Sequence, residues 1–164
     1  NNEKEYLICG NGAADLIFSL SRALNPKKAL LPAPTFAEYE QALVSVGCEI
    51  SRYYLKEEMI LYTEDYPDVL KREKPDIIFL CNPNNPTGIT ISQDLLEEIL
   101  ETCAMQGIFM VVDDASWICK RSGETYAEGK TGKISGTLFL RHLPKDMRSR
   151  CASGLWILFG REVL

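Results

Sequence analysis

Histidine is almost missing: His142 is the only one in 164 residues. A single imidazole cannot by itself make a metal site or a Ser/His/Asp triad, which weakens zinc-hydrolase and serine-hydrolase readings. Basic residues form no stripe, and the net charge is -5. Nothing is therefore available to neutralise a phosphate backbone, and nucleic acid is not an expected partner. No apolar run approaches the roughly 20 residues that span a bilayer, so no membrane partner is expected. Low-complexity tracts and internal repeats are also lacking. Six cysteines (Cys9, Cys48, Cys81, Cys103, Cys119, Cys151) occur without a CxxC pair or metal-ligand spacing. Several lie in apolar runs, where a free thiol behaves as a small hydrophobe. Buried, reduced thiols in a cytoplasmic protein are the expectation. The opening Asn1-Asn2-Glu3-Lys4-Glu5 has neither a Met nor the apolar core of a signal peptide, and it reads as the start of an internal fragment.

What is present is the composition of a folded domain, 46% hydrophobic and 25% charged, at about one domain's length. The first 113 residues alternate between two periodicities. Gly12 to Leu24 spaces Leu16, Ile17, Leu20 and Leu24 for one buried helical face. A short strand over Ala29 to Pro32 precedes a second helix, Phe36 to Val46, closed by Gly47. Cys48 to Leu55 carries the β-branched and aromatic residues of a strand. Tyr66 to Arg72 reads as a short helix that tolerates Pro67 in its first turn. Asp76 to Cys81 (DIIFLC) is a nearly continuous apolar run, as expected of a parallel strand covered on both faces. Gln93 to Met105 is amphipathic, and Ile108 to Val112 is a further buried strand ending on Asp113-Asp114. Alternating strands and helices imply a parallel α/β sheet, with ligands at the carboxyl ends of its strands. Residues 114–164 are expected to be irregular.

Four segments carry chemistry. Asn82-Pro83-Asn84-Asn85-Pro86-Thr87-Gly88 follows a buried strand. These residue types dominate ordinary turns, yet seven together at a strand's end make a rigid loop able to hold one amide in place. Gly10-Asn11-Gly12-Ala13-Ala14-Asp15 opens a helix, where free backbone N–H groups and the helix dipole favour a phosphate. A Rossmann fingerprint would need a third glycine where Asp15 stands, so that reading is rejected. Asp113 could cap a following helix or pair, as a buried anion, with a protonated ring nitrogen. Phe36, beside Pro34 at a strand's end, could be core or could stack on a planar ring.

GNGAADLIF, PTFAEYEQAL, IIFLCNPNNPTG and FMVVDD stand in the order and approximate spacing of fold-type I pyridoxal-phosphate enzymes, the class I/II aminotransferase family. The chain resembles most the branch of threonine-phosphate decarboxylases and histidinol-phosphate aminotransferases, over residues 7–113. The wording of the first two motifs is nearer the decarboxylases. The resemblance implies a three-layer α/β sandwich around a mostly parallel sheet, part of the large domain of the aspartate-aminotransferase fold. It implies pyridoxal 5'-phosphate as cofactor. Ala13 and Ala14 would hold its phosphate through backbone N–H groups, Phe36 would stack on its ring, Asn85 would bond its phenolic oxygen, and Asp113 would keep its ring nitrogen protonated. It also implies a homodimer acting on a small phosphorylated amino acid. The implied reaction is decarboxylation of L-threonine O-3-phosphate in cobalamin synthesis; the alternatives are histidinol-phosphate transamination and an inactive fragment.

The division expected is 1–113 for a partial cofactor-binding large domain and 114–164 for a divergent continuation. The family's next motifs, including the lysine in a Ser/Phe-Thr-Lys context, are missing as written. Asp114-Ala115-Ser116-Trp117-Ile118 and Arg141-His142-Leu143-Pro144-Lys145 stand in their places, leaving Lys145 as the candidate catalytic lysine. Restoring one base lets the first segment read Glu-Cys-Phe-Leu-Asp-Met. The same shift from His142 permits Phe-Thr-Lys and then an Arg-Leu-Gly stretch. The expectation is that this continuation is translated out of frame.

Overall fold

A computed structural model describes residues 7–55, 65–114, 136–142 and 155–160. Its elements run β1 (Leu7–Asn11), α1 (Ala13–Leu24), β2 (Lys28–Ala33), α2 (Ala37–Ser45), β3 (Glu49–Tyr54), α3 (Tyr66–Glu73), β4 (Ile77–Asn82), α4 (Gln93–Gln106), β5 (Phe109–Asp114), β6 (Thr137–His142) and β7 (Leu155–Gly160). Three of the four described helices stop on a left-handed residue. Asn25, Lys74 and Gly107 close α1, α3 and α4 in the left-handed conformation, each returning its N–H to a carbonyl of the last turn. Pro67 sits in the first turn of α3, where no intrahelical N–H is required. Ser92 caps α4 by accepting from the backbone N–H of Leu95.

The seven strands form one sheet in the order β1-β7-β6-β5-β4-β2-β3. Pairing is parallel from β3 through β2, β4 and β5 to β6, while β7 runs antiparallel to both β6 and β1. The carboxyl ends of β1, β2, β4 and β5 therefore emerge on one edge. The described sheet is larger than the sequence pattern implied. An irregular continuation was expected after residue 113, but β6 and β7 lie there and finish the sheet. Their runs are only six residues each, too short for periodicity to separate from a loop; cross-strand hydrogen bonding decides them. β1 was also not foreseen, since the glycines around it read as a helix start.

Alternation along the strands builds two cores. Leu31, Phe79, Cys81, Val111 and Leu140 point toward α1 and α2, where they meet Ile17, Leu20, Tyr39 and Leu43. Their neighbours Leu30, Ile78, Leu80, Met110 and Val112 point toward α3 and α4, against Leu70, Leu96, Ile99 and Cys103. A period of two thus sends successive residues of one strand into opposite cores. The result is three layers, and β4 is buried at all six positions. Each fully buried Leu, Ile or Phe contributes about 1.5–3 kcal/mol relative to exposure. Among the described residues no helix is long and apolar enough to cross a membrane.

Candidate functional site

The carboxyl-end edge gathers the residues singled out in the sequence. Asp113 lies in the last two residues of β5, in register with Cys81 of β4. It is 5% exposed, and a carboxylate so placed must be held by a donor. Tyr39 supplies one: its Oη donates to Asp113 Oδ2 at 2.7 Å. Tyr39 is itself fully buried, its ring stacked on Phe79 at 4.9 Å between centroids and 14° between planes. Burial first, and then the charge on Asp113 and the Cys81 sulfur, hold the Tyr39 hydroxyl well above the ordinary tyrosine range. It remains a donor at neutral pH. Tyr39 lies within PTFAEYEQAL, but the sequence by itself assigns it no role. Tyr39 stands in the first turn of α2, whose buried face also carries Ala42 and Leu43, so its place in the sequence reads as core.

Phe36 precedes α2 in extended conformation and is half-buried, its ring edge-on to Tyr39 at 5.4 Å. It packs against the α1/α2 core and keeps part of its surface exposed. Asn85 is exposed in the β4–α4 loop. Its backbone approaches the Cys81 thiol, which burial pushes up in pKa while hydrogen bonds with Tyr39 and the Asn85 backbone pull it partly back. Asn85, Cys81, Asp113, Tyr39 and Phe36 are thus linked contact by contact.

Two neighbouring asparagines are buried where Asn85 is not. Asn82, 1% exposed, accepts from the Ile91 N–H through Oδ1 at 3.1 Å. Asn84, 2% exposed, donates from Nδ2 to Pro34 O at 3.1 Å and to Thr87 Oγ1 at 2.9 Å. Its Oδ1 accepts from Thr35 Oγ1 at 3.1 Å. These two amides shape the loop, leaving Asn85 to face outward.

At the third corner, Gly12 precedes α1 with φ +95°, a conformation L side chains rarely adopt. It offers α1 no side-chain cap, so the first N–H groups of the helix, those of Ala13 and Ala14 among them, have no capping side chain as competitor. Gly10 is needed for a different reason: a Cβ there would fall 2.6 Å from Leu16 Cγ. Asp15 turns its carboxylate back to accept from the Asn11 N–H at 3.0 Å, which fixes the turn. Ala13 belongs to the same core as Tyr39 and Cys81, with Phe36 packed against it.

The structure therefore brings Ala13, Ala14, Phe36, Asn85 and Asp113 to one edge. Lys145 lies outside the described residues. The thiols of Cys48, Cys81 and Cys103 are free and buried as expected, whereas Cys9 is free but exposed, because β1 lies at the sheet's margin.

The chain is similar to known proteins. The family model "Aminotransferase class I and II" matches residues 1–115. Threonine-phosphate decarboxylase of Salmonella typhimurium is 38% identical over 112 residues, covering 67% of this chain and 30% of the relative. Histidinol-phosphate aminotransferase of Aquifex aeolicus is 34% identical over 163 residues, 98% of this chain and 44% of the relative. This chain thus spans less than half the length of either. Among solved structures, the histidinol-phosphate aminotransferase from Clostridium acetobutylicum superposes with a TM-score of 0.74 at 23% identity, covering 94% of this chain and 45% of that one. A Thermus thermophilus aspartate aminotransferase mutant gives 0.77 at 17% identity, covering 95% and 44%. The fold is that of the aspartate aminotransferases, and the chain belongs to the class I and II aminotransferase family of pyridoxal-phosphate enzymes.

Proposed function

We propose that this edge holds pyridoxal 5'-phosphate and that the reaction it serves is decarboxylation of L-threonine O-3-phosphate to (R)-1-aminopropan-2-yl phosphate, a step of cobalamin synthesis. One observation carries the cofactor reading: a buried carboxylate, Asp113, held by a buried phenol at a strand's carboxyl end. An anion in that position fits a cationic ring nitrogen. The uncapped start of α1 fits a phosphate, and half-buried Phe36 fits a planar ring.

On this reading the Ala13 and Ala14 N–H groups bind the phosphate, Phe36 covers one face of the ring, Asn85 bonds its phenolic oxygen, and Asp113 keeps a proton on its nitrogen. When bound, the cofactor supplies an electron sink for the pair left when a bond to the substrate's Cα breaks. Tyr39 orients the Asp113 carboxylate, and the α1/α2 core excludes water from behind it. The decarboxylase assignment is supported by the wording of the motifs and by the 38% identity to the Salmonella threonine-phosphate decarboxylase. Transamination of histidinol phosphate is the second reading, favoured by the Aquifex relative's alignment through nearly the whole chain. The whole protein is read as a cytoplasmic homodimer, with its active site at the subunit interface.

Titration with 4-deoxypyridoxine 5'-phosphate, which has no aldehyde, tests the cofactor reading without requiring a lysine. The wild type should bind it, and Asp113→Ala should weaken binding by roughly tenfold or more, the loss of a charge-assisted contact. Equal affinity in the two proteins would refute the role of Asp113. Release of carbon dioxide from L-threonine O-3-phosphate, against amino transfer from histidinol phosphate, separates the two reactions.

Lys145 is the proposed attachment lysine. Borohydride trapping with pyridoxal 5'-phosphate followed by peptide mapping tests it, and an unmodified Lys145 would assign this chain to the non-catalytic reading. The out-of-frame continuation is supported by the family match stopping at residue 115 and opposed by the Aquifex relative's alignment through 98% of the chain. The coding nucleotides decide it: codons unable to yield Phe-Thr-Lys in a neighbouring frame would exclude it.

A further inference from the structure

The side chain that faces the ring in the proposed site is Asn85, but the one bridging two of the site's loops is Asn84. The β2–α2 loop carries Phe36; the β4–α4 loop carries Asn85. Nothing in either loop's own sequence sets the distance between them. Asn84 meets the first loop twice, at Pro34 O and Thr35 Oγ1, and meets its own loop at Thr87 Oγ1. Its main chain is committed as well: its N–H donates to Ile89 O at 2.8 Å, and its C=O accepts from the Gly88 N–H. Both amide hydrogens and the amide oxygen are therefore engaged in a residue 2% exposed. A buried amide satisfied on all sides has one favourable orientation, and each partner it loses costs a desolvated group.

We propose that Asn84 is a positioning residue that clamps the Phe36 loop to the Asn85 loop and so sets the width of the slot for a planar ring. The inference rests on the cofactor reading above for the ring's identity. The clamp itself is independent of it, being made from contacts within the chain. Phe36 and Asn85 sit immediately beside the clamped residues, Phe36 next to Thr35 and Asn85 next to Asn84. A clamp that slackens changes their separation before it changes anything else in the site. The phosphate corner at Ala13 and Ala14 belongs to a different loop and shares none of these hydrogen bonds.

Two readouts on the full chain test this. In hydrogen–deuterium exchange without ligand, Asn84→Ala should speed exchange in both segments, Thr35–Tyr39 and Asn84–Ile91, with α1 unchanged. Acceleration confined to the second segment would overturn the clamp. In titrations, Asn84→Ala should weaken 4-deoxypyridoxine 5'-phosphate by roughly tenfold, about one buried hydrogen bond's worth, while inorganic phosphate keeps its affinity within about twofold. A parallel loss of both ligands, or of neither, would count against it.

Thr35→Val and Thr35→Ser provide a milder pair if Asn84→Ala folds poorly. The first removes the hydroxyl and should show the ring-specific loss; the second keeps it and should behave as wild type. Equal behaviour of the two would overturn the clamp. Should the wild type bind neither ligand, the cofactor reading fails, and the slot with it. Normal wild-type binding with an unaffected Asn84→Ala would remove the clamp alone.

Discussion

The two faces of the sheet are built from the same strands and are nearly equal in apolar content, yet only one leads to a candidate site. On the α3/α4 side, Leu80, Met110 and Val112 meet Ile99, Leu100 and Cys103. On the α1/α2 side the same strands end with Cys81 and Asp113, and Tyr39 fills the layer against them. The difference lies in the last residue or two of β4 and β5. A face can change from core to site within one step of the pleat, because consecutive side chains point in opposite directions. Burial on the site side therefore protects a charge, whereas on the other side it only excludes water.

Large-to-small changes on each face break this comparison most strongly. Phe79→Ala, at a fully buried position stacked on Tyr39, should cost about 3–5 kcal/mol in urea unfolding. It should also weaken 4-deoxypyridoxine 5'-phosphate binding, because the phenol behind Asp113 loses its platform. Ile99→Ala, equally buried on the far side, should cost about 2–5 kcal/mol and leave the folded fraction's ligand affinity unchanged. If both variants lost affinity alike, the two faces would not be functionally separate.

Alkaline pH tests the far face next. Burial pushes the Cys103 thiol from its ordinary 9.0 up to about 12. The unfolded chain releases this proton near the ordinary value, so the folded state's advantage is complete below pH 9 and is lost as pH rises toward 12. The span corresponds to an upper limit of about 4 kcal/mol. Tyr66 on the same side and Tyr39 on the other are also raised, chiefly by burial, and add to the decline. Urea midpoints measured from pH 8 to 11 should fall steadily, and Cys103→Ala should flatten the curve. An unchanged slope in that variant would contradict the assignment.

Tyr39→Phe sharpens the comparison with a smaller effect. It keeps the ring on Phe79 and removes one donor from a buried carboxylate, for a loss of about 1.5–3 kcal/mol. Ligand affinity should fall with it, since Asp113 is no longer oriented. A stability loss with intact affinity would make Tyr39 purely structural. Ser92→Ala, far from both, should cost only about 0.5–1 kcal/mol by removing the α4 cap, and chemical denaturation should show no change in ligand binding.

Much of this architecture was legible before the structure. The period of 3.6 located α1 and α4 to within a residue or two, because one face of each had to be apolar, and Gly47 marked the end of α2. The DIIFLC run marked β4 as central, because only a strand covered on both sides has no polar positions to spare. The family motifs named Phe36, Asn85 and Asp113, and the sheet's parallel order then brought them to one edge. β6 was not legible. Thr137–Leu140 is buried, but four residues are too few for a period, and pairing with β5 is a long-range event.

By itself the sequence determined the alternation of elements, the class of fold and the family motifs from which the proposed cofactor contacts are read. Those follow from local periodicity, turn chemistry and motif wording, all written within a few neighbouring positions. Only the tertiary structure decided that Tyr39 holds Asp113 from 74 residues away, and that Asn84 rather than Asn85 ties the loops together. Two adjacent asparagines carry identical chemistry in sequence. Which one is buried and satisfied, and which faces outward, depends on what the folded chain brings against them, and hydrogen-bond satisfaction in a desolvated site permits one arrangement.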